Sequence, residues 1–115
     1  MALHCSATVL IVSPPEHEAG VAALVAHLAD SRIAEVYASR TFAEPAHLIA
    51  DRLGCPVGLL QVELEGPRDA ALEEIADLHR GEQVVVLVRR ATHTTDQIVA
   101  VEIGDDGWTV REVDL

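Results

Sequence analysis

The chain has 115 residues, of which 50% are hydrophobic, and a formal net charge of −11. It contains 19 acidic residues and 8 basic ones, and every basic residue is arginine. This balance excludes a general affinity for nucleic acid or anionic membranes, because both require a positive protein surface. No apolar stretch approaches the roughly 20 residues needed to span a bilayer, and the N-terminus lacks a signal-like pattern. We therefore expect a single cytoplasmic domain over residues 1–115.

The first predicted element is a strand over residues 8–12, an unbroken apolar run rich in β-branched side chains. Such runs are typical of strands buried on both faces of a parallel sheet. Pro14 and Pro15 cannot donate to a strand ladder, so this strand should end at Ser13. A helix is predicted over 16–29, because its apolar residues recur at helical spacing.

A short buried strand is predicted next, over residues 33–38, followed by a second helix from about residue 43 to residue 53. Three large apolar side chains of this helix are expected to face the core: Leu48, Ile49 and Leu53. Gly54 stands where a left-handed helix cap is expected, and a proline follows closely.

A third short strand is predicted within residues 57–64, and a third helix over 68–80. The helix should bury Leu72, Ile75 and Leu78. His79 lies at the end of this helix, where we expect it to be solvated.

The most hydrophobic strand is predicted at residues 84–88 and should be central to the sheet. Two further strands, 97–103 and 108–114, are separated by a turn rich in glycine and aspartate, which predicts a β-hairpin. The order βαβαβαβ followed by a hairpin predicts a three-layer α/β/α sandwich. Its sheet should be mostly parallel, with an antiparallel C-terminal margin.

Metal and cofactor chemistry finds little support in the sequence. Cys5 and Cys55 are too few and too far apart for a disulfide framework or a CxxC metal site. The histidines and cysteines offer no pair at metal-ligand spacing, and no glycine-rich phosphate loop is present. We therefore expect no metal and no cofactor.

Five stretches, taken in chain order, are landmarks for comparison with known families. They are the strand at 8–12, Ile-Ala-Glu-Val-Tyr-Ala-Ser at 33–39, Leu-Gly-Cys-Pro-Val at 53–57, Gly-Glu-Gln-Val at 81–84 and the closing hairpin. Together they resemble the histidine phosphatase superfamily in its small forms, and the resemblance covers nearly the whole chain. It implies a phosphoglycerate mutase-like fold.

The chain departs from this family at the catalytic motifs. The family's first strand ends in Arg-His-Gly, whose histidine takes the phosphoryl group, and the matching residues here are Ser13, Pro14 and Pro15. The family's second phosphate-binding histidine is matched by Arg90. Phosphoryl transfer needs a positioned nucleophile and a proton donor. The resemblance therefore implies a pseudoenzyme without catalytic residues.

Arginines follow the ends of the second and fourth predicted strands, at one edge of the sheet. They could hold a phosphate or a carboxylate through forked hydrogen bonds, or they could pair with neighbouring acidic residues. The candidate ligand-binding residues at this edge are Ser13, Arg40, Thr41, Arg89, Arg90 and His93.

We expect the helix that follows the fourth strand in the family to be absent here, because only residues 91–96 separate that strand from the hairpin. A buried central strand needs cover on both faces, so the hairpin, the N-terminal segment or another chain must supply some of it. A homodimer or a partner protein is therefore expected.

Three functions stay open: a non-catalytic protein acting by self-association or partner binding, a binder of a phosphorylated or carboxylated small molecule, and an enzyme of altered mechanism using His17 or His93. A flavodoxin-like or receiver-like domain is less consistent with the sequence, because the acidic cluster expected after the first strand is absent.

Overall fold

The computed structural model describes residues 6–12, 18–61, 71–88, 97–104 and 107–114. These residues form nine elements in chain order: β1 (Ala7–Val12), α1 (Glu18–Leu28), β2 (Ile33–Ser39), α2 (Ala43–Leu53), β3 (Val57–Leu60), α3 (Ala71–Leu78), β4 (Gln83–Leu87), β5 (Gln97–Gly104) and β6 (Gly107–Asp114). A 3₁₀ turn, Arg40–Phe42, joins β2 to α2. None of the helices in these ranges has the length and apolar character needed to cross a bilayer.

The strands form one mixed sheet in the order β3-β2-β4-β1-β5-β6. Strands β3, β2, β4 and β1 are parallel. Strand β5 runs antiparallel to β1, and β6 runs antiparallel to β5. The predicted α/β fold, with a mainly parallel sheet and a C-terminal antiparallel hairpin, is confirmed.

Helices pack on both faces of the sheet, and the direction of the chain explains which helix lies where. The chain moves from β1 to β2 and β3 toward one margin, then returns from β3 to β4. Because parallel crossovers are right-handed, a reversal of direction puts the returning helix on the opposite face. Accordingly α1 and α2 cover one face, here called the two-helix face, and α3 covers the other, called the one-helix face.

Side chains of the central strands alternate between the two faces. On the two-helix face the buried strand residues that pack against α1 and α2 include Leu10, Val12, Val36, Val85 and Leu87. On the one-helix face those that pack with α3 include Val9, Ile11, Val84 and Val86.

The strand predicted to be central does lie in the middle of the sheet, because β4 pairs with β2 on one side and β1 on the other. Residues 84–88 are each 2% exposed or less within a single chain. A second chain is therefore not needed to bury this strand, although self-association through another surface stays a proposal.

Helix α2 begins and ends close to the predicted positions, but its buried face differs. The buried side chains are Ala46, Ile49 and Ala50, whereas Leu48 is 38% exposed. The prediction that Leu48 faces the core is wrong, because a stripe through Ile49 selects the two small alanines and not the neighbouring leucine. The cap was predicted correctly: Gly54 has a φ of 75° and donates its N–H to the carbonyl oxygens of Ala50 and Asp51.

Helix α3 shows the same error more strongly. Leu72, Ile75 and Ala76 are buried, whereas Leu78 is 74% exposed. The spacing i, i+3, i+4, i+7 from Leu72 reaches position 79. His79 is accordingly only 8% exposed, so the predictions of an inward Leu78 and a solvated His79 are both wrong.

Candidate functional site

The carboxyl ends of β3, β2, β4 and β1 meet at one edge of the sheet, where open α/β sheets commonly bind ligands. Arg40 and Thr41 lie there, directly after β2, and both are exposed. The other residues predicted to act at this edge lie outside the described residues, and they are Ser13, His17, Arg89, Arg90 and His93.

Ser39, the last residue of β2, is the most unusual polar residue at this edge. It is 5% exposed, and its Oγ is the one buried side-chain oxygen or nitrogen in the described ranges without a hydrogen-bond partner. Its backbone is extended, at φ −72° and ψ 170°, as in a helix N-cap, yet its hydroxyl caps nothing. A buried unsatisfied hydroxyl costs roughly 1–3 kcal/mol, so this group has unused bonding capacity.

The position of Ser39 adds to its interest. It precedes the helical segment formed by the turn Arg40–Phe42 and α2. The first N–H groups of a helix have no intrahelical acceptor and carry a partial positive charge. A hydroxyl, an exposed guanidinium and the first N–H groups of this segment thus lie within a few residues of one another, and each is a donor type that can bind an anion.

A second polar group of residues lies on the one-helix face, toward the amino end of the sheet. The Tyr37 hydroxyl oxygen is 2.7 Å from His79 Nε2, and His79 Nδ1 is 2.9 Å from a carboxylate oxygen of Glu82. A Glu35 oxygen lies 3.5 Å from the same Nε2. The two rings meet edge to face, with centroids 5.6 Å apart. Glu35, Tyr37, His79 and Glu82 together form a tyrosine–histidine cluster.

The cluster satisfies the His79 ring in either protonation state. When His79 is neutral with its proton on Nδ1, it donates to Glu82, and Nε2 accepts the Tyr37 hydroxyl proton. When the ring is doubly protonated, Nε2 donates to the Tyr37 oxygen, and the hydroxyl proton turns to Glu35. Both ring nitrogens keep a partner throughout, which is what a buried polar ring requires.

The order of these groups resembles a catalytic triad, in which a hydroxyl, an imidazole and a carboxylate form a chain. The electrostatics oppose that role. Burial, followed by the negative charge of Glu35, its hydrogen bond and the charge of Glu82, raises the pKa of Tyr37 to about 12. The phenol therefore keeps its proton at neutral pH and acts as a hydrogen-bonding group, not as a nucleophile.

Gly58 makes room for the cluster. It pairs with Tyr37 across the β2–β3 ladder. A Cβ at this position would lie 2.6 Å from Tyr37 Cε1 and 2.5 Å from Glu35 Oε2. The Tyr37 ring and the Glu35 carboxylate can thus lie across β3 only because residue 58 has no side chain.

Sequence reasoning did not single out the cluster, but two patterns pointed to it. Residues 35, 37 and 39 of β2 are Glu, Tyr and Ser, whereas Val36 and Ala38 between them are apolar. Because side chains alternate along a strand, these three polar residues share the one-helix face. The helical stripe of α3 brings His79 to that same face.

Cys55 is half-buried. Burial, followed by the negative charge of Glu35, raises the pKa of its thiol, so the reactive thiolate is disfavoured. Among the residues that the structure describes, no group of three or more His, Cys, Asp or Glu side chains is arranged to hold a metal.

No protein-family model matches the sequence, and no match is found among curated proteins. The resemblance to histidine phosphatases therefore depends on the matching sequence stretches and on the order of helices and strands.

Proposed function

We propose that this protein is a non-catalytic domain of the histidine phosphatase type, which acts by self-association or by binding a partner protein. Pro14 and Arg90 occupy the positions of the family's two catalytic histidines. Neither side chain can form a phosphohistidine. The Tyr37 phenol, which is held protonated, offers no substitute nucleophile.

The observation that carries the binding role is the surface of β3. Leu59 is 53% exposed on a strand that stands last in the sheet order. A large apolar side chain on a margin strand is a typical site for contact with another chain.

A second candidate function is the binding of a small phosphorylated or carboxylated molecule at the carboxyl edge of the sheet. The buried, unpartnered Ser39 hydroxyl favours it, because an anion would supply the missing acceptor. The proposed ligand-binding residues are Ser13, Arg40, Thr41, Arg89, Arg90 and His93.

Thermal unfolding in the presence of inorganic phosphate tests this second function. A ligand that binds only the native state raises Tm, and the rise grows with the logarithm of its concentration above its Kd. We expect a rise in the wild-type protein that is lost in Ser39→Ala and Arg90→Ala. It should persist in Arg111→Ala, which removes an exposed arginine from β6. A rise that survives Arg90→Ala would refute the proposed pocket.

Two measurements test the first function. Light scattering across a range of concentrations should show self-association, and a strict monomer at high concentration would remove the main support for this proposal. Hydrolysis of a generic phosphomonoester should not be detectable. Turnover abolished by His17→Ala or His93→Ala would overturn the non-catalytic proposal and favour an enzyme of altered mechanism.

A further inference from the structure

Strand β3 pairs with β2 on one side, and no strand in the described ranges pairs with its other side. The N–H of Val36 bonds to the carbonyl of Pro56, which fixes the direction of the next backbone groups along β3. Because those groups alternate along a parallel strand, Gly58 directs its N–H and C=O toward β2, and Val57 and Leu59 direct theirs outward. The outward groups can accept one more strand.

A groove with a volume of about 560 Å³ runs between α2 and the start of β3. Val57 belongs both to the groove and to the open edge, so the two features form one surface. The groove has an apolar part, which includes Leu48, and it is bordered by the exposed carboxylates of Glu44 and Asp51.

Charge decides which occupant this surface fits. A second copy of the chain meeting it across a two-fold axis would bring the same acidic groups of both copies together. Each copy also carries a net charge of −11, so the contact would be repulsive. The residues that line the groove include two carboxylates and one histidine, His47, and no arginine. A positively charged segment is complementary to this surface, and a second copy is not.

We propose that the open edge of β3 and the adjoining groove bind an extended segment of a partner protein whose side chains on the side facing α2 are both apolar and basic. This inference rests on the proposed partner-binding function. The segment pairs with the outward backbone groups of Val57 and Leu59. Its apolar side chains pack against Leu59 and Leu48, and its basic side chains approach Glu44 and Asp51.

The probe is the nonapeptide Arg-Thr-Val-Thr-Arg-Thr-Val-Thr-Arg, whose arginine and valine side chains share one face of an extended strand. It is titrated into the full chain by calorimetry. A second peptide carries glutamate in place of arginine. We expect the basic peptide to bind and the acidic one not to bind. Leu59→Arg should weaken binding by roughly tenfold or more, because it adds a like charge to the contact. Glu44→Gln with Asp51→Asn should weaken it as well.

Matched controls separate a specific site from general attraction to an acidic protein. Leu78→Arg adds the same charge at another exposed leucine, on α3, and Asp77→Asn removes an exposed carboxylate there. Both should leave the affinity unchanged. Weakening by these variants equal to that of Leu59→Arg would overturn the proposal. Each variant's Tm verifies that it is folded.

Amide exchange tests the strand pairing directly. In the complex the amide hydrogens of Val57 and Leu59 should gain protection, whereas those of α3 should not. Absence of that protection, or absence of binding, overturns the inference. Dissociation of a dimer by Leu59→Arg would also overturn it, because the edge would then be a self-association surface. Dissociation of a dimer would agree with the proposed function, which includes self-association. A failure of this inference can therefore be distinguished from a failure of the proposed function.

Discussion

The two faces of the sheet are closed in different ways. Against the two-helix face, α1 and α2 bury apolar side chains along two helices of 11 residues each. On the one-helix face, the described part of α3 has 8 residues, and the inward stripe that starts at Leu72 ends at His79. The two buried polar residues of the described ranges, Ser39 and His79, both belong to this face.

The end of the apolar stripe of α3 changes the chemistry of the sheet face that it covers. Polar groups are buried beyond the last apolar side chain, and they must form hydrogen bonds with one another. The tyrosine–histidine cluster does so at the amino end, whereas the Ser39 hydroxyl at the carboxyl end does not. The two-helix face should therefore respond mainly to changes in volume, and the one-helix face also to pH and to hydrogen bonding.

The largest effect should come from the apolar part of the one-helix face. Leu72→Ala removes a fully buried side chain and should lower the free energy of unfolding by about 2–5 kcal/mol. Leu78→Ala on the same helix removes a side chain that is 74% exposed and should change it by no more than about 0.5 kcal/mol. Urea denaturation measures both. Equal losses would mean that α3 is rotated about its axis, with Leu78 turned inward.

The same two leucines show how far sequence reasoning reaches. The sequence analysis predicted the succession of helices and strands along the chain, the central strand, the hairpin and the Gly54 cap. Each of these depends on a local pattern or on a turn residue. The inward faces of α2 and α3 were not predicted correctly, because the prediction assigned the core positions to large apolar side chains and not to Ala46, Ala50 and Ala76. Burial depends on the period of the helix, and small residues at the right positions outweigh a leucine one position away.

The second effect is specific to the cluster. The pKa of Tyr37 is raised from 10.0 to about 12, so between these values the folded state retains a proton that the unfolded state has released. The contribution of this group to stability is complete below pH 10 and is lost as pH rises toward 12. From two pKa units, we expect a decrease on the order of 2 kcal/mol. Tyr37→Phe should lack that decrease.

The composition leaves few other groups to interfere with a titration of Tyr37. Tyr37 is the only tyrosine, so absorbance of the phenolate near 295 nm follows it alone. The chain has no lysine, which leaves the two thiols as the other side chains that ionise nearby. A Cys5→Ser, Cys55→Ser background removes them. A phenolate titration centred at 10 in the folded protein would contradict a buried environment for Tyr37.

The candidate site was less predictable than the fold. Arg40 and Thr41 were found because arginine at a strand end is a recognisable signal, whereas Ser39 gained importance only through its burial and its missing partner. The cluster joins β2 to the end of α3 across 42 residues of sequence. Contacts at such separation depend on strand order, and a strand order with β4 between β2 and β1 is not encoded in any local pattern.

The third prediction tests the space that the cluster occupies. Gly58→Ala places a methyl group against the Tyr37 ring and the Glu35 carboxylate, and should cost about 1–2 kcal/mol after the gain from a stiffer unfolded chain. The cost should persist with Tyr37→Phe, which keeps the ring, and shrink with Tyr37→Leu. Gly54→Ala is the control, since its cost comes from a φ of 75° and should not depend on residue 37.

The smallest effect is the coupling between Tyr37 and His79. A double-mutant cycle of Tyr37→Phe and His79→Leu should give about 0.5–1.5 kcal/mol, the range of a buried hydrogen bond. The exposed Asp77–Arg80 pair, with Asp77→Asn and Arg80→Gln, should give about 0.2–0.5 kcal/mol. Both contacts are 2.7 Å long, so distance alone cannot separate them.

Added salt separates the two couplings further. Salt screens an exposed ion pair, so the Asp77–Arg80 coupling should fall as salt is added. The Tyr37–His79 coupling should stay constant, since a neutral hydroxyl is one partner and the contact is buried. A Tyr37–His79 coupling that falls with added salt as steeply as the Asp77–Arg80 coupling would mean that the contact is open to solvent.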